Sequence, residues 1–274
     1  MKLTDRVALV TGAGAGIGQA IARRFADEGA RVFVNDLTLD VARRSADAIG
    51  KERAIPVAAD VADSGAVAKM FGEVARQAGR LDILVNNAGI ALQGDAEIDT
   101  FNRVGEARIQ ELMSGGPVKT HWTITRDMSD ATWRRMIDVH LTGSFFCARE
   151  AIKLMEKRQQ GVIINMASIA GLSGLEAVPH YCAAKAALLG FTRALALELG
   201  SQKIRVNAIC PGFIETAMTD TMSAVLKGQI VAQTPLHRWG RPEDIAAAAL
   251  YLVSDDAAFV TGQWLSPNGG LVMQ

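Results

Sequence analysis

Cysteine is scarce in this chain, and neither sign of charge is in surplus. Cys147, Cys182 and Cys210 are scattered over 274 residues with no CxxC or metal-ligand spacing. That argues against a disulfide scaffold or a structural metal and reads as reduced, buried thiols. Lys+Arg and Asp+Glu both total 29, so the formal net charge is zero. No basic surplus points to nucleic acid or to an anionic membrane. No apolar run approaches the length needed to span a bilayer. The opening Met1-Lys2-Leu3-Thr4-Asp5-Arg6 passes directly into a strand pattern with no room for a secretory leader, so a cytoplasmic location is expected. Internal repeats, low-complexity tracts and linkers are missing too. A single α/β domain over residues 1–274 is the expectation.

What the chain does have is short apolar runs alternating with longer helical patterns. Val7 to Val10, Val32 to Val34, Ala54 to Ala58, Ile83 to Val85, Val162 to Ile164 and Ile204 to Ile209 read as buried strands. Ala-rich segments such as Gly18 to Glu28 and Leu39 to Ile49 read as helices. Strands apolar on both faces and separated by helices predict a parallel sheet covered on both sides. Right-handed crossovers then give a Rossmann-type, doubly wound fold of about seven strands.

The first strand runs into Thr11-Gly12-Ala13-Gly14-Ala15-Gly16-Ile17-Gly18 and then a helix. Glycines there let the backbone approach a pyrophosphate, whose charge the helix N-terminus favours. The strict G-x-G-x-x-G spacing is not met; G-x-x-x-G-x-G through Gly12, Gly16 and Gly18 is. Asp36 closes the second strand, where a carboxylate accepts hydrogen bonds from adenosine ribose hydroxyls and repels a 2′-phosphate. Neither Ala15 nor Leu37 brings a compensating cation, which favours NAD over NADP. Capping of the next helix is the plainer explanation of Asp36, but it leaves the spacing unexplained. Asp60-Val61 and Asn86-Asn87-Ala88-Gly89 follow the third and fourth strands, at the sheet edge where open α/β folds bind ligands, although such residues also suit ordinary turns.

Further on, Tyr181 and Lys185 stand four apart in an Ala-rich helical stretch and so share a helix face. Moving a phenol from about 10 to about 7 needs roughly 4 kcal/mol. One positive charge about 4 Å away supplies that at an intermediate dielectric. The pair alone also fits a plain amphipathic face.

Together with Ser168, Pro211-Gly212, Thr216, Thr261-Gly262-Gln263 and Gly269-Gly270, these motifs closely resemble the compact short-chain dehydrogenase/reductase family over nearly the whole chain. The resemblance implies an NAD-dependent oxidoreductase that interconverts a secondary alcohol and a ketone. Tyr181 would be the acid/base, with Ser168 steadying the substrate oxygen and Lys185 holding the nicotinamide ribose and lowering the tyrosine pKa. The cofactor would lie along Gly12, Gly14, Ala15, Gly16, Ile17 and Gly18, with Asp36 and Leu37 at its ribose. Asp60 and Val61 would hold the adenine, Asn87, Ala88 and Gly89 would line its path, and Pro211, Gly212, Ile214 and Thr216 would meet the nicotinamide end. The resemblance also implies a homotetramer built through the helices around His140 and Tyr181 and the C-terminal strand.

Two departures stand out. His140 occupies the place of an asparagine that in the family helps organise a proton-relaying water. Histidine can donate, accept and titrate near neutral pH, so it could continue the relay; equally, it could be a buried histidine satisfied by backbone. The interval from Gly89 to His140 is also roughly twice the usual, with the excess at about residues 92–127. Ile98, Phe101, Val104, Ile109, Leu112 and Met113 have helical spacing there, ended by Ser114-Gly115-Gly116-Pro117, with His121-Trp122 beyond. The segment leaves the ligand edge of the sheet, so a lid is favoured over a surface elaboration or subunit contact. Met218, Met222, Val225, Leu226 and Ile230 suit the wall of a pocket for a hydrophobic substrate: a 3-hydroxyacyl thioester, a cyclic or aromatic alcohol, or a steroid. The competing reading, prompted by the missing asparagine, is a non-catalytic NAD(H)-sensing scaffold, against which Ser168, Tyr181 and Lys185 count.

Overall fold

A computed structural model describes residues 1–92 and 94–273. Its sheet has seven parallel strands in the order β3-β2-β1-β4-β5-β6-β7. They are β1 (Val7–Val10), β2 (Arg31–Asp36), β3 (Ala54–Ala58), β4 (Ile83–Asn86), β5 (Gly161–Met166), β6 (Ile204–Ile209) and β7 (Trp264–Leu265). β1 is buried along its whole length, as a central strand covered on both faces must be. The register Leu9↔Phe33 on one side and Leu9↔Leu84 on the other places β1 beside both β2 and β4. The chain runs outward from β1 through β3, then returns to the other side of β1 at β4. That reversal opens a crevice at the carboxyl ends of β1 and β4.

Alternation along the strands feeds two cores. Ala8 and Val10 of β1, with Val32 and Val34 of β2, pack against α1 (Gly16–Asp27) on one face. Leu9 and Phe33 point the other way, towards α3 (Ser64–Ala78). The helix α2 (Leu39–Ile49) is capped by the Thr38 hydroxyl, and α3 by the Asp63 carboxylate, which accepts from Gly65 N and Ala66 N. Those two bonds hold the Asp63 carboxyl below its ordinary range.

Between β4 and β5 the chain forms α4 (Asp95–Met113), the short α5 (Ile124–Asp127), α6 (Asp130–Ile137), and α7 (Gly143–Met155). The helical spacing read at residues 98–113 is therefore a helix, although Leu112 and Met113 are exposed at its end. Between α6 and α7 one wide π turn, Asp138–Thr142, carries His140. Then come α8 (Pro179–Leu199), the one-turn α9 (Ala217–Asp220), α10 (Ala224–Gln233) and α11 (Pro242–Val253). α7 and the C-terminal part of α8 join α3 on the Leu9 face, while α11 packs with α1 on the opposite face. Cys147 and Cys210 are buried, and burial pushes their thiols up to about 12 and about 11; Cys182 is only half-buried. No helix among the described residues is long and apolar enough to cross a membrane.

Candidate active site

The crevice at the switch between β1 and β4 is laced shut at its base. Thr11 Oγ1 accepts from Asn87 N (3.0 Å) and Ala88 N (3.1 Å), and the Asn87 amide donates to Thr11 O (2.9 Å) and Gly12 O (3.0 Å). Gly12 has φ +59°, and a Cβ there would sit 2.7 Å from Ala88 Cα. A Cβ on Gly18 would lie 2.3 Å from Gly12 O. Ala15 gives α1 no side-chain cap, so first-turn N–H groups face the crevice ready for an anion. This is a cradle that fits the pyrophosphate of a dinucleotide.

Asp36 sits beside the cradle. Its Oδ2 accepts from Gly14 N (2.9 Å) and its Oδ1 from Leu37 N (2.8 Å). Gly14 is the one residue of the expected cofactor set that does not line the cavity. It is glycine because a Cβ would meet Val41 Cγ1 at 2.3 Å and Asp36 Oδ2 at 2.5 Å, so its part is to seat the carboxylate. Gly12, Ala15, Gly16, Ile17, Gly18, Asp36 and Leu37 border the cavity, as do Asp60, Val61, Asn87, Ala88 and Gly89. Pro211, Gly212, Ile214 and Thr216 border it from the far side. Arg135, which sequence reasoning missed, pairs with Asp60 Oδ2 at 3.3 Å at the edge of the cavity.

Ser168 follows β5 and caps a short 3₁₀ turn, accepting from Ala170 N (3.1 Å). It borders the same cavity as the Tyr181 phenol. The approach of that turn to α8 depends on Gly171, where a Cβ would lie 2.6 Å from Lys185 C. Tyr181 and Lys185 share a face of α8 as their spacing predicted, with Nζ 5.5 Å from the ring centroid. The electrostatics differ from the expectation. Burial holds the phenol above its ordinary value, against the opposing influence of the Ser168 hydroxyl. Lys185 is buried as well, brought down to about 7 by desolvation. Its Nζ donates to Met166 O at 2.6 Å. Behind this cluster, Asn86 Nδ2 donates to Asn165 Oδ1 (2.9 Å), and Asn165 Nδ2 to Thr192 Oγ1 (2.9 Å), tying β4, β5 and α8 together.

His140 stands edge-on to Tyr181, with ring centroids 5.3 Å apart at 88°. Its Nε2 lies 2.9 Å from Ile90 O and 3.1 Å from Ile90 N. Backbone satisfaction therefore accounts for one nitrogen; Nδ1 is buried with no partner among the described residues. Burial first, then the Lys185 charge, keeps the imidazole well below its usual pKa, which favours the neutral ring. A Cβ on Gly89 would come within 2.4 Å of His140 Cε1, so the ring occupies the space that glycine leaves.

A continuous cavity of about 1010 Å³ runs from the cradle past Tyr181 to α4. Ile98, Phe101, Ile109, Leu112 and Trp122 of the insertion line it, opposite Met218, Met222, Leu226 and Ile230; Val225 points elsewhere and is exposed. The insertion is fastened on two sides. Asn102 donates to Thr221 O (2.9 Å) and accepts from Ser223 N (3.0 Å). Glu176, in the loop leading to α8, accepts from Arg108 Nη2 (3.0 Å) and Trp122 Nε1 (2.8 Å).

Known proteins agree with this architecture. Residues 6–226 match the family model described as short chain dehydrogenase. The chain belongs to the short-chain dehydrogenase family. It is similar to meso-2,3-butanediol dehydrogenase of Serratia marcescens, 36% identical over 98% of this chain and 96% of that protein. It is 37% identical to the 3-oxoacyl-(acyl-carrier-protein) reductase FabG of Staphylococcus aureus, covering 100% of both. A short-chain dehydrogenase/reductase of Brucella melitensis, described as glucose/ribitol dehydrogenase, superposes with a TM-score of 0.84 at 31% identity, covering 100% of this chain and 99% of that one. This short-chain dehydrogenase is accordingly an oxidoreductase acting on CH–OH or C=O groups with a nicotinamide cofactor.

Proposed function

We propose that this short-chain dehydrogenase uses NAD to interconvert a bulky, largely apolar secondary alcohol and its ketone. The observation that carries the reading is the convergence of Ser168, Tyr181 and Lys185 on one wall of the cavity, placed where the glycine cradle meets its apolar end. A nicotinamide cofactor bound along the cradle supplies or accepts the hydride at the carbinol carbon. Tyr181 passes the proton to or from the substrate oxygen. Ser168 hydrogen-bonds that oxygen as negative charge develops on it, an interaction stronger in the transition state than in the ground state. Lys185 places its charge beneath the tyrosine, and His140 keeps the tyrosine ring in place from the side. The Asp36 carboxylate supports NAD, since it leaves no space or countercharge for a 2′-phosphate.

The insertion over residues 92–127 acts as a lid on the substrate end, supported by its apolar lining and by the Glu176 fastening. The assembly is a cytoplasmic homotetramer, a reading supported by the exposed Phe145 and Leu197 on α7 and α8 and by Trp264 and Leu265 on the edge strand β7. A screen of secondary alcohols with NAD and with NADP, followed by absorbance of the reduced cofactor, tests the activity. Tyr181→Phe lowers turnover about 100-fold or more while NADH binding stays measurable. A Phe variant that keeps most of its activity sinks the assignment.

A further inference from the structure

α4 carries a glycine at its buried middle, where a helix is worst served by one. Gly105 is buried and borders the substrate end of the cavity. A glycine inside a helix costs about 1 kcal/mol against alanine. α4 is weak at its start as well, since Gly94 gives its N-terminus no side-chain cap. The space that Gly105 leaves is filled from another helix. A Cβ there would lie 2.9 Å from Leu226 Cδ2 and 3.3 Å from Leu226 Cδ1. Leu226, on α10, therefore seats the end of its side chain in a notch on α4.

The two helices are clamped right beside this notch. Asn102, about one turn before Gly105, donates to Thr221 O (2.9 Å) and accepts from Ser223 N (3.0 Å). Ser223 in turn stands about one turn before Leu226 and caps α10, its hydroxyl accepting from Leu226 N. A group added at Gly105 thus displaces the Leu226 side chain more easily than it spreads the helices. Non-bonded carbons settle about 3.5–4.0 Å apart, so the nearer methyl must retreat by roughly 1 Å. Leu226 borders the cavity too, and that is the open space beside it.

We propose that Gly105 and Leu226 set the width of the substrate end. The notch draws Leu226 out of the cavity and so admits a ring-sized apolar group on the carbinol carbon. Phe101 and Ile109 on α4, with Met222 and Ile230 opposite, supply the apolar surface that such a group meets. Neither member of the pair offers a charge or a side-chain hydrogen bond, so the selection is steric. It falls hardest on the largest substituent and shows chiefly in KM. A notch that served only the packing of α4 on α10 would behave differently: filling it would weaken every substrate alike.

This inference rests on the alcohol–ketone reading, and the test separates the two. The probes are 2-propanol, 1-phenylethanol and 1-(2-naphthyl)ethanol, the last two as resolved enantiomers. They are oxidised with whichever of NAD and NADP the wild type uses, at saturation. The enzymes are the wild type, Gly105→Ala, and the double variant Gly105→Ala with Leu226→Ala. The wild type is expected to favour its best aryl carbinol over 2-propanol at least tenfold in kcat/KM. Gly105→Ala cuts that preference at least tenfold, chiefly through KM, and more for the naphthyl than for the phenyl carbinol. Adding Leu226→Ala removes the displaced side chain and recovers most of the preference. Alanine is the better helix former, so Gly105→Ala is expected to fold. If it does not, Leu226→Phe, too large for the notch, makes the same cut from α10. A wild-type preference near one overturns the proposal, as does a preference that survives Gly105→Ala or Leu226→Phe. So does an equal loss on all the alcohols, or a double variant that recovers nothing. If the wild type binds the reduced cofactor yet oxidises none of these alcohols, the alcohol–ketone reading itself fails, and this proposal falls with it.

Discussion

Lys185 gives its ammonium hydrogen to the carbonyl oxygen of Met166, 2.6 Å away, at the end of β5. The lysine that the sequence pairs with Tyr181 is thus pinned by the strand that delivers Ser168. The strand end and the helix face are held in one arrangement, at the cost of burying a charge.

That cost has a pH signature. The folded lysine titrates at about 7, against 10.5 for the exposed side chain. Between these values the unfolded chain binds a proton that the folded one releases, so stability falls as pH drops from about 10.5 to about 7 and stays low beneath. Lys185→Met is expected to raise the stability of the cofactor-free protein by on the order of 2 kcal/mol at pH 7. The gain shrinks towards pH 10, while turnover is lost. Urea titrations at the two pH values check the sign; a variant less stable at pH 7 refutes it.

Asp36 accepts two backbone hydrogen bonds at the cavity edge. Hydrogen bonds to charged groups are worth roughly 1.5–3 kcal/mol each. Replacing Asp36 by Ser should therefore lower kcat/KM with NAD by about tenfold or more and raise that with NADP. Steady-state kinetics with both cofactors measure the ratio, and an unchanged ratio would place cofactor choice elsewhere.

Glu176 ties both Arg108 and Trp122 of the insertion to the loop before α8. Glu176→Ala is expected to raise KM for bulky alcohols several-fold, with a smaller change for small ones, and to speed proteolysis at 114–121. Equal KM values across substrate sizes would show the insertion to be a passive decoration.

Gly89 and His140 compete for one space. Gly89→Ala places a methyl 2.4 Å from His140 Cε1, an overpacking that costs about 1–3 kcal/mol. In a His140→Asn background the cost should fall, giving a coupling above about 0.5 kcal/mol in a double-mutant cycle. Thermal or urea unfolding of the four proteins supplies the cycle; additivity would mean that the backbone simply moves.

Much of this was legible in the chain. β1, β3, β6 and α2 begin and end where their apolar runs do, because a covered parallel sheet demands uninterrupted apolar strands. β7 was not legible as a strand: Trp264–Leu265 is too short to carry a periodicity. Gly14 shows the limit of motif spacing, since a glycine that makes room for a neighbouring side chain looks the same as one that makes room for a ligand. The tyrosine–lysine face was read correctly, but the Met166 carbonyl was invisible, as every residue carries one. Glu176 and Arg135 were missed for a related reason: their partners lie 54 or more positions away, and a lone charged residue on a loop or helix reads as solvated surface.

The chain of amides from Asn86 through Asn165 to Thr192 anchors α8 to the centre of the sheet. Hydrogen exchange around the tyrosine helix would then need the whole domain to open, whereas the insertion, fastened by side chains at its rim, can open by itself. On the proposed function, chemistry and substrate choice then sit at opposite ends of a gradient of stiffness. Substrate range can drift through changes in the insertion without disturbing proton transfer.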